Sequence, residues 1–294
     1  MQKITPFLWF EKNMKEITDF YISVFPGTKV KGNGELEGTP SGAVQMATLE
    51  IFGTNFNLMT AGPYLPFNPT VSFIISCDSL SEVDDLWSKL SSTGKILMEL
   101  SKYPFAEKYG WVEDKYGVSW QIMFSIDMKA PQKVIPTIMF AGPVCGRGEE
   151  AVNFYTSVFH NSKIDYLMKY EAGEAKDEKA KVKHSGFTIE NFHMALMDSG
   201  IPSPLNFEQA ISFIISCDSQ EEVDYFWDKL TLGGKEIQCG WLNDKFGFPW
   251  QVVPSAMDKM MSTGTKEQIA RVTEAFMKMK KFDIATLERA FQGN

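Results

Sequence analysis

The sequence lacks long apolar runs and any excess of positive charge. No run approaches the roughly 18 apolar residues that a membrane-spanning helix needs. The N-terminus, MQKITPFLWFEKNMKEITDF, has neither the apolar core nor the cleavage site of a signal peptide. The formal net charge is -8 and no Lys/Arg cluster interrupts that acidity, which disfavours phosphate backbones and anionic lipid. We therefore expect a cytoplasmic protein with no membrane partner and no nucleic acid partner.

Cysteine and histidine are also scarce. The 294 residues include four cysteines, with no CxxC pair, and three histidines. A large chain without a secretion signal rarely builds a disulfide framework, and a thiolate zinc knuckle needs closely spaced cysteine pairs. We expect free, buried thiols at Cys77, Cys145, Cys217 and Cys239.

The sequence is rich in core-forming residues and in internal repetition. It is 44% hydrophobic with 23 Phe, which supports well-filled cores, and its length favours two domains. The octapeptide SFIISCDS occurs at 72–79 and 212–219, DFYISVFPGTKV (19–30) matches NFYTSVFHNSKI (153–164), and GWVEDKYGVSWQ (110–121) matches GWLNDKFGFPWQ (240–251). The chain therefore encodes one unit twice.

Each repeat contains one local pattern twice. In repeat one, a predicted strand precedes MKEITDFYISVF (14–25), whose apolar residues have helical spacing, and a hairpin follows around Gly53. The second half begins again with the strand TVSFIIS, after which Ser79 or Ser81 caps a second helix. The pattern is strand, helix and then about three strands, four times per chain.

This paired βαβββ pattern, with DFYISVFPGTKV, GWVEDKYGVSWQIM and GWLNDKFGFPWQVV, resembles the vicinal oxygen chelate superfamily of glyoxalases, bleomycin-resistance proteins and dioxygenases. The strongest likeness is to its PhnB-like branch, which is often labelled demethylubiquinone methyltransferase-like. The resemblance implies an α+β fold of tandem glyoxalase-like domains, each with two βαβββ modules and curled mixed sheets. The expected domains are 1–127 and 133–257, followed by a C-terminal helical tail at 264–294.

In metal-using members of that superfamily, four His or Glu side chains hold a divalent ion that acts as a Lewis acid. Asp198 is the one plausible charged ligand at the corresponding positions of this chain, and a single carboxylate does not assemble a metal site. We therefore expect no metal and no cofactor. The corresponding positions hold Phe7 to Trp9, Met59, Thr60, Thr70 to Ser72 and Gln121 in repeat one, and Thr137 to Met139, Met197, Asp198, Ala210 to Ser212 and Gln251 in repeat two.

Two shorter motifs allow alternative interpretations. EDKYG and NDKFG place Lys115 and Lys245 either at a pocket mouth or in a tight turn, in which Asp bonds the local backbone and Gly adopts positive φ. We favour the turn. GNG (32–34) lacks the strand-to-helix context of a nucleotide fingerprint, so the sequence shows no S-adenosylmethionine site.

The last strand of each repeat carries a glutamine, Gln121 or Gln251, beside a tryptophan. Strand alternation turns this glutamine toward the pocket of a curled sheet. A buried amide needs hydrogen-bond partners, and either a cross-strand bond or a ligand supplies them. We hypothesise that these glutamines orient a small organic ligand. The predicted ligand-binding residues are Trp9, Met59, Trp111, Gln121, Asp198, Cys239, Trp241 and Gln251.

Three functional hypotheses follow from these patterns. The first is a metal-independent protein that binds a small, partly apolar organic molecule in a sheet-lined pocket. The second is an enzyme of the superfamily (a lyase, a dioxygenase or the nominal methyltransferase) whose catalytic residues the sequence does not identify. The third is a non-catalytic scaffold. The fused repeats also predict an intramolecular pseudo-dimer, present as a monomer or homodimer, with SIDMKAPQKV (125–134) as its linker.

Overall fold

The structure, a computed structural model, describes residues 2–39, 41–62, 65–126 and 132–294. The predicted linker lies partly outside these ranges. Repeat one forms two βαβββ modules, as expected. The first consists of β1 (Ile4–Phe10), α1 (Met14–Val24), β2 (Lys29–Thr39), β3 (Gly42–Ile51) and β4 (Thr54–Thr60), and the second of β5 (Val71–Ser76), α2 (Leu80–Ser91), β6 (Lys95–Tyr103), β7 (Ala106–Glu113) and β8 (Ser119–Phe124).

Repeat two forms two further modules of the same kind. A short 3-10 turn at Gly142–Val144 precedes the helix of the first of them. The strands and helices are β9 (Val134–Phe140), α3 (Gly148–Val158), β10 (Lys163–Lys169), β11 (Val182–Ile189) and β12 (Phe192–Asp198), then β13 (Ile211–Cys217), α4 (Gln220–Thr231), β14 (Lys235–Glu236), β15 (Trp241–Asn243) and β16 (Pro249–Pro254).

Within the described ranges, sixteen strands form two eight-stranded mixed sheets, which confirms the expected α+β fold. The first sheet has the order β14-β15-β16-β13-β1-β4-β3-β2, and the second β10-β11-β12-β9-β5-β8-β7-β6. Each sheet therefore combines one module from each repeat. The repeats meet through two antiparallel pairs: β1 with β13, where Phe7 faces Ser212, and β5 with β9, where Ser72 faces Thr137.

The main hydrophobic core lies on the helix side of the sheets. Helices α1 and α4 pack on the first sheet, and α2 and α3 pack on the second. Matching aromatic pairs fill the core of each repeat: the rings of Phe25 and Trp120 are 4.7 Å apart in repeat one, and those of Phe159 and Trp250 are 5.3 Å apart in repeat two. Each core thus joins two modules that belong to different sheets, because Phe25 follows α1 whereas Trp120 lies on β8.

The repeated octapeptide forms a strand and the cap of the helix that follows it. Phe73 and Ile75 of β5 are fully buried in the core, whereas Ser72 faces the opposite side of the sheet. After the strand, the Ser79 hydroxyl accepts a hydrogen bond of 3.1 Å from the backbone N–H of Glu82, which satisfies a free amide of the first turn of α2. The Ser79 alternative for the predicted cap is confirmed.

Three helices follow the second repeat: α5 (Ser255–Thr263), α6 (Lys266–Phe276) and α7 (Ile284–Gln292). The predicted cap at Asp283 is confirmed, since its carboxylate accepts a bond of 2.7 Å from the N–H of Thr286. Helix α5 was not predicted, because β16 passes into it at Pro254 without a turn signal. None of the helices among the described residues has the length and apolar character to cross a bilayer.

Candidate functional site

Each sheet has an inner face, which we define as the side turned away from α1–α4. Register places Phe7 and Trp9 of β1, Met59 of β4, and Gln251 of β16 on the first inner face. The corresponding positions place Gln121 of β8 on the second inner face. These faces bring together different subsets of the predicted residues: Trp9, Met59, Trp241 and Gln251 lie on the first, and Trp111 and Gln121 on the second.

Three aromatic rings meet on the first inner face. The Trp241 ring lies 5.6 Å from that of Phe7, edge to face, and 5.9 Å from that of Trp9. Two strands separate β15 from β1 in the sheet, a distance of about 14 Å if the sheet were flat. The sheet is therefore strongly curled, and its curvature brings residues from both repeats together. Met59 lies beside this cluster, directly opposite Trp9 in the β1–β4 pair.

Gln251 lies beside the aromatic cluster, opposite Trp241 in the β15–β16 pair. It is 6% exposed. Its amide nitrogen donates a hydrogen bond of 2.9 Å to the hydroxyl of Ser212. Within the described part of the chain, no protein group donates to its side-chain carbonyl oxygen. The first inner face therefore presents one hydrogen-bond acceptor beside three aromatic rings.

The equivalent glutamine of the second inner face has both of its polar atoms occupied. Gln121 donates to the hydroxyl of Ser72 at 2.7 Å and accepts a bond of 2.7 Å from the hydroxyl of Tyr109. All three side chains are buried, and burial raises the pKa of Tyr109. Here the cross-strand alternative of the sequence prediction accounts for the buried amide.

Trp111 also differs from its counterpart Trp241. Its indole N–H donates a bond of 2.6 Å to the hydroxyl of Ser119 on the neighbouring strand. In the first sheet Pro249 occupies the position of Ser119 and cannot accept this bond. The aromatic positions of β1 are replaced in β9 by Thr137 and Met139. The second inner face therefore lacks rings at the positions of Phe7 and Trp9, and its aromatic contacts come instead from Tyr103, Phe105 and Tyr109, whose rings lie 5.1 to 5.6 Å apart.

Asp198 ends β12 and is completely buried. One carboxylate oxygen accepts bonds from the N–H groups of Gly146 and Gly148, at 2.9 and 3.2 Å. The other accepts from those of Lys181 and Val182, at 2.9 and 2.8 Å. Four backbone donors thus account for this buried carboxylate without a ligand, and it joins the start of α3 to that of β11.

Cys239 lies at the edge of the first sheet, under the C-terminal helices. Its backbone has a φ of 60°, and its thiol lies 3.7 Å from the sulfur of Met277. All four cysteines are free, as predicted, but the prediction of burial holds for Cys77, Cys145 and Cys217 and is wrong for Cys239, which is partly exposed beside the C-terminal segment. Burial raises the pKa of the Cys239 thiol and brings those of Cys77 and Cys217 to about 12, which disfavours nucleophilic thiolates.

Sequence inspection did not identify a pair of buried aspartate clusters. The carboxylate of Asp114 accepts bonds of 2.9 Å from the Tyr21 hydroxyl and the Trp120 indole, and bonds of 2.9 and 3.1 Å from the N–H groups of Tyr116 and Val118. Burial raises its pKa to about 6. The turn predicted for EDKYG is confirmed, but only the fold shows that its aspartate also binds a tyrosine of α1.

Repeat two reproduces this cluster around Asp244. Tyr155 and Trp250 donate to one carboxylate oxygen at 2.8 and 3.0 Å, and the N–H groups of Phe246 and Phe248 donate to the other at 2.8 and 3.1 Å. Burial raises the pKa of Asp244 as well. Both clusters lie in the cores, away from the inner faces, and they join the two modules of a repeat.

The lysines of the two turns form ion pairs with helices. Lys115 lies 2.9 Å from Glu16 of α1, and Lys245 lies 2.8 Å from Glu150 of α3. The GNG segment forms part of β2, where Gly34 faces Met46. It is therefore a strand segment and not the strand-to-helix turn that binds nucleotides.

The three histidines do not converge. The Nδ1 atom of His184 and the hydroxyl of Tyr166 share a hydrogen bond of 2.8 Å. Burial lowers the pKa of His184 to about 4. His193 bonds Thr188 at 2.9 Å, and His160 stacks on Tyr225 at 5.4 Å. Among the described residues, no three His, Cys, Asp or Glu side chains are grouped so that they could hold a metal ion.

A groove of about 370 Å³ lies away from the predicted residues, between α1 and the β2–β3 hairpin. Its lining includes Met14, Thr18, Asn33, Gln45 and Ala47. None of the eight predicted site residues lines it. The first inner face is therefore a curled surface and the groove a separate feature of the same sheet.

Comparison with known proteins agrees with this architecture. A family model described as 3-demethylubiquinone-9 3-methyltransferase matches residues 2–123 and again 132–253. A PhnB protein from Bacillus cereus is 34% identical over 42% of this chain and 100% of its own length, with a TM-score of 0.39. Glyoxalase I from Zea mays is 14% identical, covers 86% of this chain and 94% of its own, and has a TM-score of 0.57. No curated protein matches the chain.

Proposed function

The chain belongs to the 3-demethylubiquinone-9 3-methyltransferase family, a PhnB-like branch of the vicinal oxygen chelate superfamily, and we propose that it binds a small, partly apolar organic molecule without a metal. The binding surface is the first inner face. The observation that carries this proposal is the carbonyl of Gln251, which has no donor among the described protein groups and lies beside the rings of Phe7, Trp9 and Trp241.

The chemistry of this surface defines the class of ligand. Aromatic rings bind the face or edge of another ring at centroid distances of about 4.5 to 7 Å. The Gln251 carbonyl is an acceptor, so a matching ligand carries an O–H or N–H group. We therefore propose a ring compound with a hydroxyl or N–H donor. The indole of Trp9 is held in place by a bond of 2.7 Å to the carbonyl of Ala61, so the aromatic surface is preorganised on one side.

The proposal of metal independence rests on the residue types at the site. Glutamine, serine and aromatic side chains line the first inner face, and the nearest predicted carboxylate, Asp198, lies in the other sheet with four backbone donors. Neutral amides and hydroxyls are weak ligands for the ions that glyoxalase-type chemistry uses.

The second inner face favours the scaffold hypothesis for that half of the molecule. Tyr109 and Ser72 each bond one polar atom of the Gln121 amide, so its carbonyl, unlike that of Gln251, already has a protein donor. Both sheets are complete within one chain, which supports the further proposal of a monomer or a homodimer of pseudo-dimers.

Phenol and anisole form a matched pair of probes, because they differ in the O–H group. We expect calorimetry to show about fivefold to tenfold tighter binding of phenol, the ratio that one hydrogen bond of about 1 kcal/mol provides. Gln251→Leu should abolish this preference. Gln121→Leu is the matched control and should preserve it. Equal affinities for phenol and anisole in the unmodified chain, or a preference that survives Gln251→Leu, would refute the proposal.

A further inference from the structure

The C-terminal helices cover the first inner face and leave the second uncovered by any helix among the described residues. They form a hydrophobic cluster separate from the main core, built around Met260, Val272, Phe276, Phe282 and Leu287. Two residues of the first sheet pack against this cluster: Leu36 of β2 and Val253 of β16. The helices therefore extend from one arm of the curled sheet to the other.

The attachment of these helices to the β15–β16 arm is polar and extensive. The N–H groups of Cys239 and Gly240 donate to the carbonyls of Met279 and Lys280, both at 2.8 Å. A side chain at Gly240 would collide with the Phe282 ring, which shows how closely the two segments pack.

A second set of contacts fixes the same segment to α4. Gln220 donates to the Phe282 carbonyl at 3.1 Å and accepts from the N–H of Ile284 at 2.9 Å. Lys281 lies 2.9 Å from Asp224. Residues 279–284 are therefore held by hydrogen bonds from two elements.

The contact with the β2 arm is of a different kind. Helix α6 approaches β2, where Leu36 packs against the apolar cluster. The polar side chains of α6 bond instead to α7, as in the bonds of 2.8 and 2.9 Å from Arg271 to the carbonyls of Ala290 and Phe291. Within the described ranges, no hydrogen bond or ion pair joins α6 to β2.

We infer that α5–α7 form a lid over the first inner face, anchored at residues 279–284 and opening where α6 meets Leu36. Apolar contacts can separate and re-form without leaving unpaired polar groups, whereas the anchor would lose several hydrogen bonds. The role of this lid as a gate rests on the ligand proposal above. The opening of the lid is independent of that proposal.

Cys239 lies beside the anchor, and its thiol is covered by Met277 at the end of α6, so its reactivity changes when α6 tilts away from β2. The buried thiols of Cys77, Cys145 and Cys217 report global unfolding of the same molecules. N-ethylmaleimide labelling of the intact chain, read by peptide mass spectrometry, should modify Cys239 at least tenfold faster than the other three.

Leu36→Ala should raise the Cys239 labelling rate about tenfold and leave the three buried cysteines unchanged. Leu167→Ala, on β10 at the corresponding arm of the second sheet and packed against the main core, is the matched control and should leave the Cys239 rate unchanged. Because Cys239 is partly exposed even in the closed structure, the response to Leu36→Ala is the deciding result: if this substitution has no effect on the Cys239 rate, the lid does not exist.

Phenol separates this inference from the ligand proposal. Saturating phenol should slow Cys239 labelling several fold if the lid closes over a bound ring. If phenol fails to bind while the Cys239 labelling rate still rises in Leu36→Ala, the ligand proposal fails and the lid stands.

Discussion

The two inner faces contain the same Ser–Gln pair and are completed by different elements. In the second sheet, the long β6–β7 hairpin places the Tyr109 hydroxyl on Gln121. In the first sheet, Cys239 stands at the position of Tyr109, and the C-terminal segment packs there instead. The two repeats therefore share the Ser–Gln pair of the inner face and differ in the element that packs over it.

The replacement extends to backbone pairing. Tyr109 pairs with Ser101 of β6 in the second sheet, whereas Cys239 and Gly240 donate to Met279 and Lys280 in the first. The tail thus provides the neighbouring backbone segment that the short β14 does not. The second face is therefore closed by a hairpin of its own sheet, whereas the first is closed by a segment that lies beyond the last strand of the chain.

The largest predicted effect tests what the two halves share. Asp114→Ala and Asp244→Ala each leave a tyrosine hydroxyl, an indole N–H and two backbone N–H groups without an acceptor in the core. We expect each substitution to lower the free energy of unfolding by about 3 to 5 kcal/mol. Urea denaturation followed by tryptophan fluorescence measures the loss.

The two losses should agree within about 1 kcal/mol, because the bond sets are the same in number and kind. Ser23→Ala, at an exposed position of α1, is the control and should have little effect. If one aspartate proved dispensable, the two repeat cores would not be equivalent, and the comparison of the inner faces would lose its common scaffold.

A smaller effect is specific to the second sheet. Burial lowers the pKa of His184 to about 4 from 6.5, so the unfolded chain binds a proton that the folded chain excludes between these values. Stability from the neutral ring is complete above pH 6.5 and is lost as pH falls toward 4. We expect a loss of about 1 to 2 kcal/mol between pH 7 and 4.5, less than the full shift implies, because the ring keeps some solvent contact.

His184→Phe keeps an aromatic ring stacked near Tyr166, at 5.8 Å in the native pair, and removes the titrating group. Urea unfolding at pH 7 and 4.5 should show a smaller pH dependence in this variant than in the unmodified chain. The same dependence in both would show that His184 is not the group responsible.

Much of the fold could be predicted from the sequence because repetition and amphipathic spacing are local signals. The modules, the Ser79 cap and the Asp283 cap are examples. The sequence could not predict that each module pairs with a module of the other repeat, because this pairing depends on which strand edges meet. The sequence also did not show that Asp198 binds four amides of two distant segments, or that the position of Tyr109 decides whether a glutamine is satisfied.

The smallest predicted effect reverses the difference between the two faces. Tyr109→Phe removes the hydroxyl that donates to Gln121 and retains the ring, which packs against Tyr103 and Phe105 at 5.5 and 5.1 Å. We expect it to cost about 1 kcal/mol of stability and to leave the Gln121 carbonyl as free as that of Gln251. Calorimetry with phenol should then detect a second binding event that Gln121→Leu, introduced in the same background, removes. If Tyr109→Phe lowered the stability but created no second site, a free glutamine carbonyl would not be sufficient for binding, and the aromatic cluster of Phe7, Trp9 and Trp241 would be the feature that the second face lacks.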